Sequence, residues 1–360
     1  MEKLYPGWAL GLLLVISATA LSAQDLHYSQ FGNSPMNLNP ALTGVFRGDQ
    51  RASVNYRNQW RTVPVDYLQL TGSYDLNFWK NENGEHRPTP FGAGIIFNYD
   101  QAGDSKLHLA QLGIAGSYLI DLTRGHGISL GAMLSGAERG FSTTDLRFPS
   151  QFDGINYNAQ LPINETFDET SYVFGDVGLG ANYNYQAPVK RTTINFGGGL
   201  YHLFEPQTNY YDADEHRLPR RFSLSATGAI QLASRFDLLL MGVSQWQGDY
   251  REVVLGAGGR IHLKEDIADL TDELAIDFGI MTRQNDTGNH FPDVDGTWRQ
   301  DAIVPFLGLV WERWRGRFSY DINTSRFNVA TDRRGGPELS LQYIITNIRP
   351  GYCPTCLPTL

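Results

Sequence analysis

The sequence predicts an all-β protein, a closed antiparallel transmembrane β-barrel of about 14 strands. Three observations predict it. Apolar and polar residues alternate with period two over most of the chain, the pattern of a strand with one face oily and the other wet. Many of these stretches run to about 11 residues or more, the length that crosses a bilayer when tilted, against about 5–6 for a globular strand. Aromatic residues gather near the ends of the stretches, and the connections between them alternate between short and long. A hydrophobic content of 41% and a mean hydropathy of −0.31 suit this class, because only alternate strand residues face lipid.

The elements follow in order. Residues 1–23 read as a signal peptide: Lys3 (offset by Glu2) precedes an apolar run from Trp8 to about Ala20, and the small residues Ser22 and Ala23 leave Gln24 as the new N-terminus. The run is short for a membrane anchor, which needs about 20 apolar residues. Residues 24–48 contain Gly32, Pro35, Pro40 and Gly44, and are too broken for a long strand. They are expected to tuck into the periplasmic mouth as a plug, with a disordered periplasmic tail as the alternative.

Residues 49–348 are expected to build the barrel. The strands are placed at 49–60, 66–78, 90–101, 106–121, 126–140, 172–186, 191–203, 220–232, 236–247, 250–263, 273–284, 302–312, 314–323 and 337–348. In the second, Leu68, Leu70, Gly72, Tyr74, Leu76 and Phe78 share one face, and Gln69, Thr71, Ser73, Asp75 and Asn77 the other. The eighth repeats the pattern, with Phe222, Leu224, Ala226, Ile230 and Leu232 opposing Ser223, Ser225, Thr227 and Gln231. An even strand count with the N-terminus in the periplasm places the longest connections outside and mostly short turns inside. Links 79–89 and 264–272 are longer than that rule prefers. Residues 349–360 form a periplasmic tail, whose Cys353 and Cys356 are a possible local disulfide or two free thiols; a lone C-x-x-C lacks the second ligand pair of a zinc site.

The formal charge of −9 argues against nucleic acid as a partner. No catalytic constellation is present: H-E-x-x-H, G-x-S-x-G and phosphate-binding loops are missing, and the histidines are scattered. The sequence therefore predicts no enzyme, no cofactor and no metal centre. Asp212, Asp214, Glu215 and His216 in one outer loop, and Asp286, Asp293 and Asp295 in another, read as solvated acidic loops rather than calcium sites, since no EF-hand-like spacing occurs. Inward charges at Arg51, Arg57, Asp75, Asp176, Arg260, Asp277, Arg283 and Asp321 are expected to pair with one another, because isolated charge in a confined lumen is costly. Phe148, Phe152, Tyr157, Tyr210, Tyr211 and Trp298 in the outer loops are candidate anchors for a protein partner.

Several short motifs remain. The segment after the leader reads Asp25-Leu26-His27-Tyr28-Ser29-Gln30-Phe31, then Leu38-Asn39-Pro40-Ala41-Leu42-Thr43-Gly44. The first strand carries Asn55-Tyr56-Arg57-Asn58-Gln59-Trp60, the second Ser73-Tyr74-Asp75, and the third ends Asn98-Tyr99-Asp100-Gln101-Ala102-Gly103. Together these resemble the PorP/SprF family of outer-membrane proteins of the type IX secretion system of Bacteroidetes, over nearly the whole chain after the leader. The longer Cys353–Leu360 tail with its second cysteine departs from the pattern. The resemblance implies a barrel in the cell outer membrane that supports secretion or surface anchoring of a cargo protein, either a gliding-adhesin-like protein or a large protein with a C-terminal secretion domain. The implied partners are that cargo, periplasmic and outer-membrane secretion components, and outer-membrane lipid. Asn39, Pro40, Ala41, Gly44, Arg57, Gln59, Trp60 and Asp75 are the motif positions, and Arg57 is expected to pair inward and brace the N-terminal segment. A porin-like barrel, or one that passes hydrophobic solutes, is the alternative function.

Overall fold

A computed structural model of the chain describes residues 25–60, 67–82, 85–123, 125–167, 169–208, 210, 216–264, 273–286, 298–325, 328–329 and 331–345. The leader, Tyr211, most of the two acidic clusters and the tail with Cys353 and Cys356 lie outside these residues. The described strands are β1 (Gln50–Gln59), β2 (Tyr67–Glu82), β3 (Glu85–Ala102), β4 (Leu107–Thr123), β5 (His126–Gly140), β6 (Ser171–Gln186) and β7 (Thr193–Tyr201). They continue as β8 (Arg221–Ala233), β9 (Phe236–Gln247), β10 (Tyr250–His262), β11 (Leu274–Asp286), β12 (Arg299–Trp311), β13 (Trp314–Asn323) and β14 (Arg334–Ile345). Each strand pairs antiparallel with the next, and β1 closes on β14 with Val54 opposite Leu341. Closure removes the free edge, so backbone N–H and C=O groups find partners within the sheet.

The link expected at 79–89 is not a link. β2 and β3 stay paired as far as Glu82 opposite Glu85, so only two residues separate the two strands. The expectation failed because Lys80 to Arg87 is polar on both faces, which hides a strand from an alternation test while leaving its backbone free to pair. β12 and β14 begin at Arg299 and Arg334, earlier than expected. A register shift at Arg283/Gln284 lets β11 and β12 pair beyond the alternating stretch, and Pro337 sits within β14 near its start, where a missing N–H is tolerated.

The two faces differ in chemistry. Leu112, Ile114, Leu134, Leu255, Ile280 and Leu307 point outward, Leu112 with 63% of its surface exposed. Gln69, Thr71, Asn55, Ser319 and Glu338 point inward and are fully buried. Outward rings pair near both rims: Trp314 with Tyr343 (4.5 Å between centroids) and Phe91 with Tyr118 (5.2 Å) at the short-turn end, Phe222 with Trp246 (5.4 Å) at the long-loop end. An apolar belt between aromatic rims is the surface a bilayer solvates. Among the described residues, no helix is long and apolar enough to cross a membrane; the crossing elements are strands.

Candidate functional site

Residues 25–48 lie inside the barrel. Three short helical turns, Phe31–Asn33, Pro35–Leu38 and Pro40–Leu42, fold them into a compact rod. Asp25 sits at the long-loop end, where its N–H donates to Gln247 Oε1 at 3.1 Å. Gly44 and Gly48 sit at the short-turn end, against Asn77 and Ile344. The segment thus runs the length of the lumen, further than a tuck at one mouth.

One wall of the lumen grips the segment by hydrogen bonds. Glu338 on β14 accepts the backbone N–H groups of Ser29 and Gln30 at 2.9 and 2.8 Å. Gln30 Nε2 donates to Ser319 Oγ on β13 at 2.7 Å, and Asn33 Nδ2 to Ser340 Oγ on β14 at 2.6 Å. Asn55 on β1 donates to the Asn33 carbonyl at 3.0 Å. Arg57, wholly buried on β1, donates to Asp321 Oδ2 at 2.8 Å and to the His27 carbonyl at 2.6 Å. Gln59 and Arg283 reach the same Asp321 carboxylate, each at 2.8 Å. These contacts gather on β13, β14 and β1, the strands on either side of the closing seam. Arg57 therefore both pairs inward and holds the segment. Further round, Asp75 on β2 binds Arg51 at 2.7 Å and accepts the Gly44 N–H at 2.8 Å. Gly44 itself has φ +68°, a left-handed conformation that favours glycine.

The Asn39-Pro40-Ala41 turn fills a niche made of missing side chains. Asn39 caps its own turn by accepting the Ala41 N–H at 2.9 Å, and its Nδ2 donates to the Ala181 carbonyl on β6 at 2.9 Å. Gly131 on β5 and Gly180 on β6 are inward positions directly behind it. A Cβ on Gly131 would lie 2.5 Å from the Ala41 nitrogen, and one on Gly180 would overlap Asn39 Oδ1. The hydroxyls of Ser129 and Ser117 donate to the Ala41 and Thr43 carbonyls at 2.7 and 2.5 Å, and Tyr201 to the Met36 carbonyl at 2.6 Å. Segment carbonyls that would be orphaned in a dry lumen are thereby satisfied.

The long-loop tip of the segment is fixed by charge. His202, just beyond β7, has Asp25 on one ring nitrogen (2.5 Å) and Asp176 on the other (3.0 Å), and Arg221 Nε lies 3.4 Å from Asp25. Burial of the His202 ring works against its charge, but the two carboxylates outweigh it and push the imidazole up to about 9. Burial likewise works against ionised Asp25, and His202 and Arg221 overcome it, holding the carboxyl well below its usual range. His27, with burial dominant and Arg57 close by, is pushed down.

The opposite wall is apolar below the Gln247 and Arg283 contacts at its long-loop end. Phe31, Leu38 and Leu42 pack on Met241, Val243, Val254, Met281, Ala302, Val304 and Phe306 from β9 to β12. The cavities left between segment and wall measure 20, 30 and 40 Å³. A water molecule's share of liquid volume is about 30 Å³, so each of these three is of the size of a single water.

At the long-loop rim, the candidate aromatics divide. Phe148 and Tyr210 join Phe141, Phe167 and Tyr172 in a stack that ties loop 141–170 to the loop after β7, with Phe141 4.9 Å from Tyr210 and Phe148 6.1 Å from Phe167. Phe152, Tyr157 and Trp298 remain exposed. Of the motif positions, Arg57, Gln59 and Asp75 bind the segment or its anchors, while Trp60 ends β1 with φ +56° and its N–H on the Gly335 carbonyl. Sequence reasoning missed Ser29, Gln30, Asn33, His202 and Glu338. Glu338 lies inside the expected strand 337–348 with the inward parity of Ser340 and Gln342, and that parity is the signal that marks it. His202 falls in the expected strand 191–203 with the outward parity of Ile194 and Phe196, but β7 ends at Tyr201 and His202 takes a φ of +56°, so parity does not carry to it. Among the described residues, no group of three or more acidic, histidine or cysteine side chains is disposed to hold a metal ion.

A closed barrel with an apolar belt, aromatic rims and an occupied lumen defines a β-barrel protein of the outer-membrane type. Residues 20–343 match the family model described as type IX secretion system membrane protein PorP/SprF, and the chain belongs to that family. A search of curated proteins found no match. Among solved structures, it is similar to CdiB from Escherichia coli (9% identity, TM-score 0.47), over 82% of this chain and 63% of that one. It is also similar to the COG4313 outer membrane channel from Pseudomonas putida F1 (13% identity, TM-score 0.38), over 82% of this chain and 94% of that one. CdiB from Acinetobacter baumannii is a third (8% identity, TM-score 0.42), over 82% and 60%. The chain spans less than two thirds of either CdiB.

Proposed function

We propose that the protein is a non-enzymatic scaffold of type IX secretion, resident in the outer membrane, that supports secretion or surface anchoring of a cargo protein without passing it through its own lumen. The observation that carries this reading is the occupied lumen. The segment 25–48 is bonded to β2, β5, β6 and β14 and packs on β9 to β12, with small cavities of 30 and 40 Å³ beside it. Work done by such a barrel falls to its rims. The asymmetry of the connections puts the long-loop rim outside, facing cargo, and the short-turn rim in the periplasm, facing secretion components. The leader 1–23 serves export and is removed, residues 24–48 are the plug, and the tail after residue 348 is periplasmic. The motif residues Asn39, Pro40, Ala41, Gly44, Arg57, Gln59 and Asp75 are structural, and act by keeping the plug in place.

Deleting the gene tests the reading: surface display of at least one type IX cargo falls, and normal display of all cargo removes the idea. Planar-bilayer recording separates the porin alternative. The expected trace of the purified protein is closed at moderate voltage; a steady, solute-selective conductance favours transport instead.

A further inference from the structure

Within loop 141–170, residues 152–157 form a miniature hairpin. Phe152 and Tyr157 pair as an isolated antiparallel bridge. Asp153 Oδ1 accepts the N–H groups of Ile155 and Asn156 at 2.9 and 2.7 Å, and the Asp153 N–H donates to the Asn156 carbonyl at 3.1 Å. Gly154 takes the left-handed conformation that the reversal requires (φ +97°). Gln151, buried beneath, accepts from the Tyr157 hydroxyl and the Phe148 N–H, each at 3.2 Å, and Arg147 lies over the Tyr157 ring at 5.0 Å. This bracing holds an apolar tip in water: Ile155 is 83% exposed, Phe152 56% and Tyr157 40%.

A lone exposed aliphatic residue calls for no explanation. Three apolar side chains on one hairpin, fixed by side-chain-to-backbone bonds, are different, because their ordering cost has already been met before any partner arrives. The surroundings select the partner. Loop 141–170 carries five carboxylates (Asp145, Asp153, Glu165, Asp168, Glu169) against the single basic residue Arg147, and still four once Asp145 is set against its partner Lys106. An acidic surround repels the anionic lipid surface and attracts a basic protein face.

We propose that the 152–157 hairpin is a docking knob for a secreted protein, with Ile155 entering an apolar pocket rimmed by lysine or arginine. This rests on the secretion reading above and names the chemistry of its partner. Aromatic and aliphatic anchors that fill a pocket at the centre of an interface carry most of its affinity, and a charged rim sets the encounter rate and its salt dependence.

The test places a photoreactive benzophenone amino acid at position 155 of the full chain in the producing cell, with Val189 at the opposite rim as the control position. The expected adduct is a type IX secreted protein, formed from 155 and not from 189. Titration of that protein against the purified barrel then shows at least tenfold weaker binding for Ile155→Ser, and weaker binding to wild type in high salt. An adduct with lipopolysaccharide, no adduct, or unchanged affinity in Ile155→Ser overturns the proposal. Normal cargo display after gene deletion sinks the secretion reading itself. Lost display on deletion with normal display in Ile155→Ser overturns the knob alone.

Discussion

Two walls of one lumen hold the same segment by different means. On β13, β14 and β1 it is held by directional bonds to Glu338, Ser319, Ser340, Asn55 and Arg57; on β9 to β12, below Gln247 and Arg283, it rests on valine, methionine and phenylalanine. Each bond contributes about 0.5–1.5 kcal/mol net but accepts only one geometry. Each buried apolar side chain contributes about 1.5–3 kcal/mol and accepts many. The polar wall therefore fixes where the segment lies, and the apolar wall adds stability without register. The polar wall is also the seam where the first and last strands meet, so segment and closure hold each other.

The largest expected effect lies at that seam. Arg57→Ala takes one cation from the buried Asp321 and Glu338 carboxylates, leaving Asp321 to Arg283 and Gln59, and frees the His27 carbonyl. Removing one member of a buried charge network costs about 3–5 kcal/mol. Thermal unfolding in detergent measures the loss, and limited proteolysis shows residues 25–48 becoming accessible. Leu38→Ala on the apolar wall costs about 2–3 kcal/mol, at the low end for buried leucine, and leaves the segment protected. A release of the segment by Leu38→Ala as complete as that by Arg57→Ala would invert the comparison.

A smaller effect sits at the segment's outer tip. His202 is raised in the folded protein from 6.5 to about 9. Its contribution is therefore fully present below about pH 6.5 and is lost as pH rises through about 9. A shift of that size corresponds to roughly 3 kcal/mol. Asp25, held below its usual range, contributes with the opposite sign: its share is present above about pH 3.8 and fades in acid. The free energy of unfolding, measured from pH 6 to 10, should fall for the wild type and run flatter for His202→Asn. Parallel slopes would mean that the segment tip is held by something other than this carboxylate–imidazole–carboxylate cluster.

The two walls also differ in how legible they were. The strands announced themselves because each wall residue repeats a two-residue period, and the inward charges Arg51, Arg57, Asp75, Asp277 and Asp321 fell where that period placed them. The segment has no period. Its anchors are single polar residues whose partners lie far along the chain, Ser29 with Glu338 and Tyr201 with Met36, and nothing local to 25–48 encodes those distances. The motifs nevertheless marked the right places. Asn39-Pro40-Ala41, Arg57 and Asp75 are points where segment and wall touch, and Gln59 joins Arg57 on Asp321, while the glycines opposite them read only as weak points in strands.

Those glycines give the smallest and sharpest prediction. Gly180 faces inward, and an added methyl would overlap Asn39 Oδ1 and stand 3.1 Å from the Ala41 nitrogen. Gly136 has nothing within 4 Å of the same position. Both are strand glycines, and neither has a positive φ. If strand propensity alone decided the outcome, alanine would help both by about 0.4–1 kcal/mol through the unfolded chain. The niche predicts a split. Gly136→Ala is neutral or slightly stabilising, whereas Gly180→Ala loses about 1–3 kcal/mol by overpacking and loosens the Asn39-Pro40-Ala41 turn. Two melting curves and one proteolysis time course decide it, because equal behaviour of the two variants would show that the turn does not depend on the space those glycines leave.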